Sequence, residues 1–161
     1  TQYDKVSELA EMIAAQLAEI GVNATIEVLE WSVFRPMISG MTAEEFDAPL
    51  FIMGAGTSMA DADGGYRGLY TTTPDGKNDR NYGFYSNAEV DELLEKGAAT
   101  MDVEERDACY ARIAEITLFE DPFGVYMNLR KNVYAMSDKV EGFAVNPSNT
   151  PDMVNIVCKA D

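Results

Sequence analysis

Apolar residues recur at Val6, Leu9, Ile13, Leu17 and Ile20, the three-and-four spacing of a helix with one buried stripe, so residues 4–22 (DKVSELAEMIAAQLAEIGV) are expected to form an amphipathic helix. Asp4 is placed to cap it and Gly21 to stop it. The period then switches to two. Ala24, Ile26 and Val28 alternate with Thr25 and Glu27, which predicts a strand with one wetter face over residues 23–29. Helix, glycine turn and strand make half of a βαβ unit, and residues 1–3 are too few to supply the strand before the helix. The expected fold class is α/β, with upstream strands missing.

Further along, Ser32 is placed to cap a short helix over residues 33–39, with Pro36 in its first turn and Gly40 at its end. Thr42 and Glu45 have the spacing of a capping box over a single turn. Residues 50–53, with Ala55 just beyond, form an apolar run that reads as a fully buried strand. A short helix from Asp63 or Gly64 through Leu69 precedes a long polar connection, TTTPDGKNDRNYG, that turns at Pro74, Asp75 and Gly76. Ser86-Asn-Ala-Glu89 is a second capping box, ahead of Val90, Leu93, Leu94 and Gly97 on one face. Asp102 caps the next helix, whose stripe of Cys109, Tyr110, Ile113 and Ile116 runs up to Phe119, and the pair makes a helical hairpin closed by Asp121-Pro122. Residues 123–129 and 132–136 read as two more strands, and the tail, with Gly142, Pro147 and Pro151, reads as irregular until residues 153–159. No repeat, low-complexity tract or linker divides the chain, so a single domain over residues 1–161 is expected.

Charge narrows the partners. Against 28 acidic residues stand 12 basic ones and no histidine, for a net charge of -16. Such a surface repels phosphate backbones and anionic membranes, which argues against nucleic acid and peripheral lipid. Without histidine there is no imidazole-based triad, and Cys109 and Cys158 cannot supply a zinc ligand set by themselves. Those two cysteines leave two readings open, a disulfide or two separate buried thiols. No run reaches the roughly 18 apolar residues of a membrane span, and the N-terminus has no charged-then-apolar leader pattern. For an exported protein, a start almost directly on a helix means that a signal and more have been removed.

The stretch from Gly54 to Asp63 carries the candidate chemistry. Small residues let a backbone approach another molecule closely, and Ser58, Asp61 and Asp63 add oxygen acceptors at a strand exit, where open α/β sheets place ligands. A solvated connection with helix-capping aspartates is the plainer reading of the same residues. An EF-hand alignment that sets Asp63 and Gly64 in its fifth and sixth places puts Met59 first and Tyr70 twelfth, which removes both required oxygen ligands. Nothing in the sequence supplies an apolar wall to raise one carboxylate for acid–base work, and Gly54-Ala-Gly56 lacks the third glycine of a dinucleotide site. Trp31 reads either as a stacking platform or as core.

Taken in order, AAQLAEIGVNATIEVLEW, FDAPLFIMGAGTSMADADG, FYSNAEVDELLEKG, ERDACYARIAEITLFEDPFGVYM and VEGFAVNP resemble, from end to end, the C-terminal third of the family 5 solute-binding proteins. Those are the dipeptide, oligopeptide, nickel and glutathione receptors of bacterial ABC importers. The resemblance implies a periplasmic-binding-protein-like lobe, a mixed sheet flanked by helices, from a two-lobed extracytoplasmic clamp in the periplasm or on a cell-surface lipoprotein. It implies no enzymatic activity and no cofactor, and as partners a small peptide or peptide-like solute, a missing N-terminal lobe and the ABC transporter permease subunits. Trp31 matches the Glu-Trp that ends the first strand near the cleft. Gly54 is kept from the Gly-Trp-x-x-Asp-x-x-Asp-Pro of peptide receptors, but Ala55 replaces its tryptophan, Ser58 the aspartate that anchors a peptide's α-amino group, and Ala62 its proline, while Asp61 matches the later acidic position. A neutral hydroxyl forgoes about 1–2 kcal/mol of charge-assisted pairing with an ammonium. The run from Thr57 through Asp63 looks more like the glutathione-receptor branch. The ligand-binding residues this implies are Trp31, Gly54, Ala55, Gly56, Thr57, Ser58, Asp61 and Asp63. A stand-alone acidic protein-interaction domain is the alternative from another class, and a hydrolase comes third.

Overall fold

The computed structural model describes residues 3–39, 41–45, 50–56, 61–73, 80–129, 131–146 and 150–159. The fold is α/β and helix-rich with a small sheet: α1 (Val6–Glu19), α2 (Trp31–Ile38), α3 (Ala62–Tyr70), α4 (Ala88–Ala99), α5 (Val103–Glu115), one turn of π-helix (Ile116–Glu120), β1 (Val140–Glu141) and β2 (Val157–Cys158). Two compact units contain them, residues 1–55 with 68–92, and residues 56–67 with 93–161.

In the first unit, α1 forms over the expected stretch, with Val6, Leu9, Ile13 and Leu17 of its stripe half-buried and none fully buried, and ends as Gly21 predicts. Gly21 takes a left-handed φ of 83°. Its N–H donates to the Ala18 carbonyl at 3.0 Å and the Val22 N–H to Leu17 at 2.9 Å, the paired bonds of a Schellman stop. The start differs. Lys5 occupies the cap position with a left-handed backbone and no side-chain cap, so Asp4 stands one residue too early. Ile20 lies past the last helical residue and is exposed.

Helix α2 also starts earlier than Ser32 suggests, because the Glu30 carbonyl already accepts from Val33 and Phe34, both at 2.9 Å. Ser32 is thus helical and Pro36 lies inside the helix, where it lacks the N–H for the Ser32 carbonyl. The helix ends at Ile38, and Gly40 lies outside the described residues. At Thr42 the single turn forms: its N–H and hydroxyl both donate to the Glu45 carboxylate, at 2.9 and 3.1 Å.

The core of this unit is Ile38, Tyr70, Tyr82, Tyr85 and Val90. Tyr70 meets Tyr85 edge-on at 5.5 Å, and Arg35 stacks over Tyr82 at 4.9 Å. Buried Asn81 satisfies its whole carboxamide, donating to the Thr71 and Tyr85 carbonyls and accepting from the Tyr85 N–H. It staples the two ends of the long connection, whose Pro74 turn lies outside the described residues. Asn87, not Ser86, caps α4: its side-chain oxygen accepts from Glu89 and Val90 at 3.0 and 3.2 Å, while the Ser86 hydroxyl accepts from that of Thr72.

In the second unit Asp102 caps α5 as expected, accepting from the Glu105 N–H at 2.9 Å. Cys109, Tyr110, Ile113 and Ile116 form its buried stripe. The last turn then widens into the π-helix, with the Asp121 N–H donating to Ile116 at 2.8 Å. That extra residue carries Phe119 off the stripe, so the predicted buried end at Phe119 is instead exposed. Cys109 is buried, Cys158 is exposed, and both are free thiols, so neither a disulfide nor a buried Cys158 is present.

The tail is more regular than its glycine and prolines suggest. β1 and β2 pair antiparallel, with Val140 opposite Cys158 and Glu141 opposite Val157, and an isolated bridge joins Val145 to Pro151. Gly142 permits the ribbon. Its φ is 74°, and a Cβ there would collide with the Asn155 carbonyl oxygen. The other predicted strands, residues 23–29, 50–53, 123–129 and 132–136, have no ladder partner among the described residues. A strand is held by its neighbour's hydrogen bonds, so alternation alone does not make one. Residues 50–53 are correspondingly not fully buried, and Leu50 is 71% exposed.

Candidate functional site

Each end of the Gly54-to-Asp63 stretch is anchored inside its own unit. In the first unit four aromatic rings run in sequence from Tyr3 to Trp31 at 6.1 Å, to Phe34 at 6.0 Å and to Phe51 at 6.2 Å. Helix α2 makes this possible by setting Trp31 and Phe34 three residues apart, on one face. Trp31 is half-buried, so its ring is shared between the two readings, packed on neighbours yet partly open. The hydroxyl end of the Tyr3 ring lies against Gly54, where an added Cβ would come within 2.9 Å of Cε1. Any side chain at Gly54 would displace it. Ala55 and Gly56 are exposed, and the space around Gly56 is open. Thr57 and Ser58 lie outside the described residues.

In the second unit Asp61 and Asp63 begin α3. Asp61 stands just before the helix, and its carboxylate accepts the Asp63 N–H at 2.9 Å, so the plainer capping reading holds for this residue. The same carboxylate takes both oxygens to Arg106, whose Nη2 donates at 3.1 and 3.0 Å, while Nη1 donates to the Gly97 carbonyl. Asp63 is held still more closely. Arg67 donates to it from Nε and Nη2, both at 3.0 Å, and the Tyr110 hydroxyl donates at 3.0 Å. Arg67 also reaches Glu95 at 2.6 Å and the Leu94 carbonyl at 3.0 Å. The Tyr110 ring stacks on Tyr66, 7° from parallel, lies beneath Arg106 at 4.9 Å, and fills the hollow left by Gly97, where a Cβ would come within 3.0 Å.

The electrostatics follow from these bonds. Arg67 beside it holds the Asp63 carboxyl below the ordinary carboxylate range, and Asp63 with Glu95 raises the Arg67 guanidinium above its own. Burial, then the bond to Asp63, pushes the Tyr110 hydroxyl up to about 12. A carboxylate kept ionised between two donors is not placed to act as a general acid near neutral pH. No cluster of three or more potential metal ligands occurs among the described residues, and no helix among them is long and apolar enough to cross a membrane.

Sequence reasoning singled out the two aspartates but missed Arg67, Glu95, Arg106 and Tyr110. Arg67 was within reach, because Asp63 and Arg67 are four residues apart on a predicted helix. Arg106, 45 residues from Asp61, carries no local signal.

Comparison with known proteins adds relatives at low identity. No family model matches the chain. It is 26% identical over 145 residues to the glutathione-binding protein GsiB of Pectobacterium atrosepticum, covering 90% of this chain and 28% of that protein. It is 26% identical over 156 residues to the oligopeptide-binding protein AppA of Bacillus subtilis, covering 96% of this chain and 27% of that protein. The chain therefore spans little more than a quarter of the length of the relatives it matches. Among solved structures, HbpA2 from Haemophilus parasuis superposes on 95% of this chain and 29% of its own with a TM-score of 0.69, at 21% sequence identity.

Proposed function

From a chain related over nearly its whole length to the glutathione- and oligopeptide-binding proteins, and so to the family 5 solute-binding proteins that its motifs resemble, we propose a non-enzymatic binding lobe of an ABC importer. It captures a peptide or a related small polar solute outside the cytoplasm, against an N-terminal lobe not contained in these 161 residues, and delivers it to permease subunits. The residues assigned to solute binding in this reading are those the resemblance implies: Trp31, Gly54, Ala55, Gly56, Thr57, Ser58, Asp61 and Asp63. The observation that carries the reading is the relationship itself, which covers 90% and 96% of the chain with two relatives named for binding peptide-like solutes. Within the first unit, the half-buried Trp31 ring and the exposed Gly54 and Ala55 support it, as groups on which an apolar side chain and a backbone can rest.

Closure of two lobes shares the contacts between them, so a single lobe retains little affinity. Calorimetry with reduced glutathione and trialanine should show micromolar binding to a protein carrying both lobes and none to the 161-residue chain alone. Micromolar binding to the isolated chain would contradict the two-lobed clamp. Silence of the two-lobed protein towards these and a broader peptide panel would remove the solute-binding reading.

A further inference from the structure

Helix α2 turns one stripe inward. Ile38 is fully buried, and Trp31, Phe34 and Arg35 are half-buried along the same stripe, while Ser32, Val33 and Pro36 are exposed. A guanidinium is an odd member of that stripe, because a charge drawn partly out of water is ordinarily paired with an opposite one. The chain has 28 acidic residues to offer. Arg67, Arg106 and Arg112, the described arginines of the second unit, each hold a carboxylate. Arg35 forms no ion pair and no hydrogen bond among the described residues, and rests instead over the buried Tyr82 ring at 4.9 Å. Arg80, the other described guanidinium of the first unit, is exposed to water and lies against Gly68.

The Tyr82 ring steadies the Arg35 guanidinium without giving its N–H groups an oxygen acceptor. Trp31 stands one turn earlier on the same helix, at the i,i+4 spacing that makes side chains neighbours. A half-buried indole beside a guanidinium that lacks an anion suits a solute with an apolar part and a carboxylate, whose two oxygens match the planar fork of N–H donors. We propose that Arg35 binds the carboxylate of the solute beside Trp31, and that the solutes taken here are peptides with a free C-terminal carboxylate. This deepens the solute-binding reading and rests on it. It also answers the charge of the chain: a net of -16 repels an anion, so a carboxylate is drawn in only by a local cation that the chain's own acids have left free. A guanidinium that is merely solvated by water gives no preference between a peptide acid and its amide.

Calorimetry on a protein carrying both lobes, with trialanine and its C-terminal amide as probes, separates these accounts. The wild type should bind trialanine about tenfold or more tightly than the amide. Arg35→Gln should weaken trialanine by about tenfold and leave the amide within about threefold, so that the preference disappears. Arg35→Lys, which keeps the charge without the fork, should fall between the two for trialanine. Equal binding of acid and amide by the wild type would overturn the proposal, as would a preference unchanged in Arg35→Gln. If Arg35→Gln binds neither probe, phenylglyoxal modification of the wild type decides, because it needs no variant. Saturating trialanine should then slow modification of Arg35 about tenfold, read by mass spectrometry of its peptide, and unchanged reactivity would overturn the contact. If the wild type binds neither probe nor a broader peptide panel, the solute-binding reading itself falls and takes this inference with it, whereas binding without an acid preference removes the role of Arg35 alone.

Discussion

Asp63 shows how one carboxylate can be committed to structure. It receives Arg67 twice and Tyr110 once, in a site where its side chain is 22% exposed. With its carboxyl held below the ordinary range by Arg67, Asp63 contributes stability above the unfolded value of about 3.9 and loses it as acid carries the pH down through the lowered folded value. Asp63→Asn should therefore cost about 1–2 kcal/mol near neutral pH. The gap between variant and wild type should close on acidification, as measured by denaturant unfolding from pH 7 downwards. A gap that persists unchanged at the acid end would mean that the ion pair is not its source.

At the scale of elements, regular structure forms where local chemistry and packing agree. α1 was legible because its stripe and its stop both lie within its own sequence, and α5 because Asp102 and Glu105 are three residues apart. The starts of α1, α2 and α4 each fell one or two residues from the expected position: Asn87 caps α4 with its side chain in place of Ser86, whereas α1 and α2 begin after Lys5 and Glu30 with no side-chain cap, in place of Asp4 and Ser32. The β1–β2 ribbon escaped the sequence because its strands are two residues each and depend on a pairing across the tail. Its dependence on Gly142 is testable. Gly142→Ala forces a left-handed alanine, at a cost of about 1–2 kcal/mol, and presses a methyl onto the Asn155 carbonyl. Proteolysis should then nick residues 142–156 at least several-fold faster than in the wild type while α5 stays intact. Equal protease resistance would show that the ribbon relaxes around the methyl.

On the scale of the whole molecule, charge and apolar exposure oppose each other. Val125, Leu129 and Val133 are 85%, 96% and 91% exposed in the second unit, on a segment whose sequence asks for burial. A net charge of -16 pushes copies apart. Salt screens the repulsion and leaves the apolar attraction, so the isolated chain should self-associate more as salt rises, as read by sedimentation velocity at low and high ionic strength. A strictly monomeric boundary at high salt and high concentration would show that this surface is already covered within the chain. The same division explains what was legible of the candidate site. Gly54, Asp61 and Asp63 stand out by residue type and order, whereas the arginines that neutralise the aspartates arrive by folding.

Trp31 is the only tryptophan of the chain and has Tyr3 within 6.1 Å and Phe34 within 6.0 Å. Its emission is therefore a spectrum with a single address. Light absorbed by tyrosines near Trp31, Tyr3 among them at 6.1 Å, is passed to it in a distance-dependent way, so the ratio of indole emission on tyrosine and on tryptophan excitation follows unfolding around Trp31 in real time and without a label.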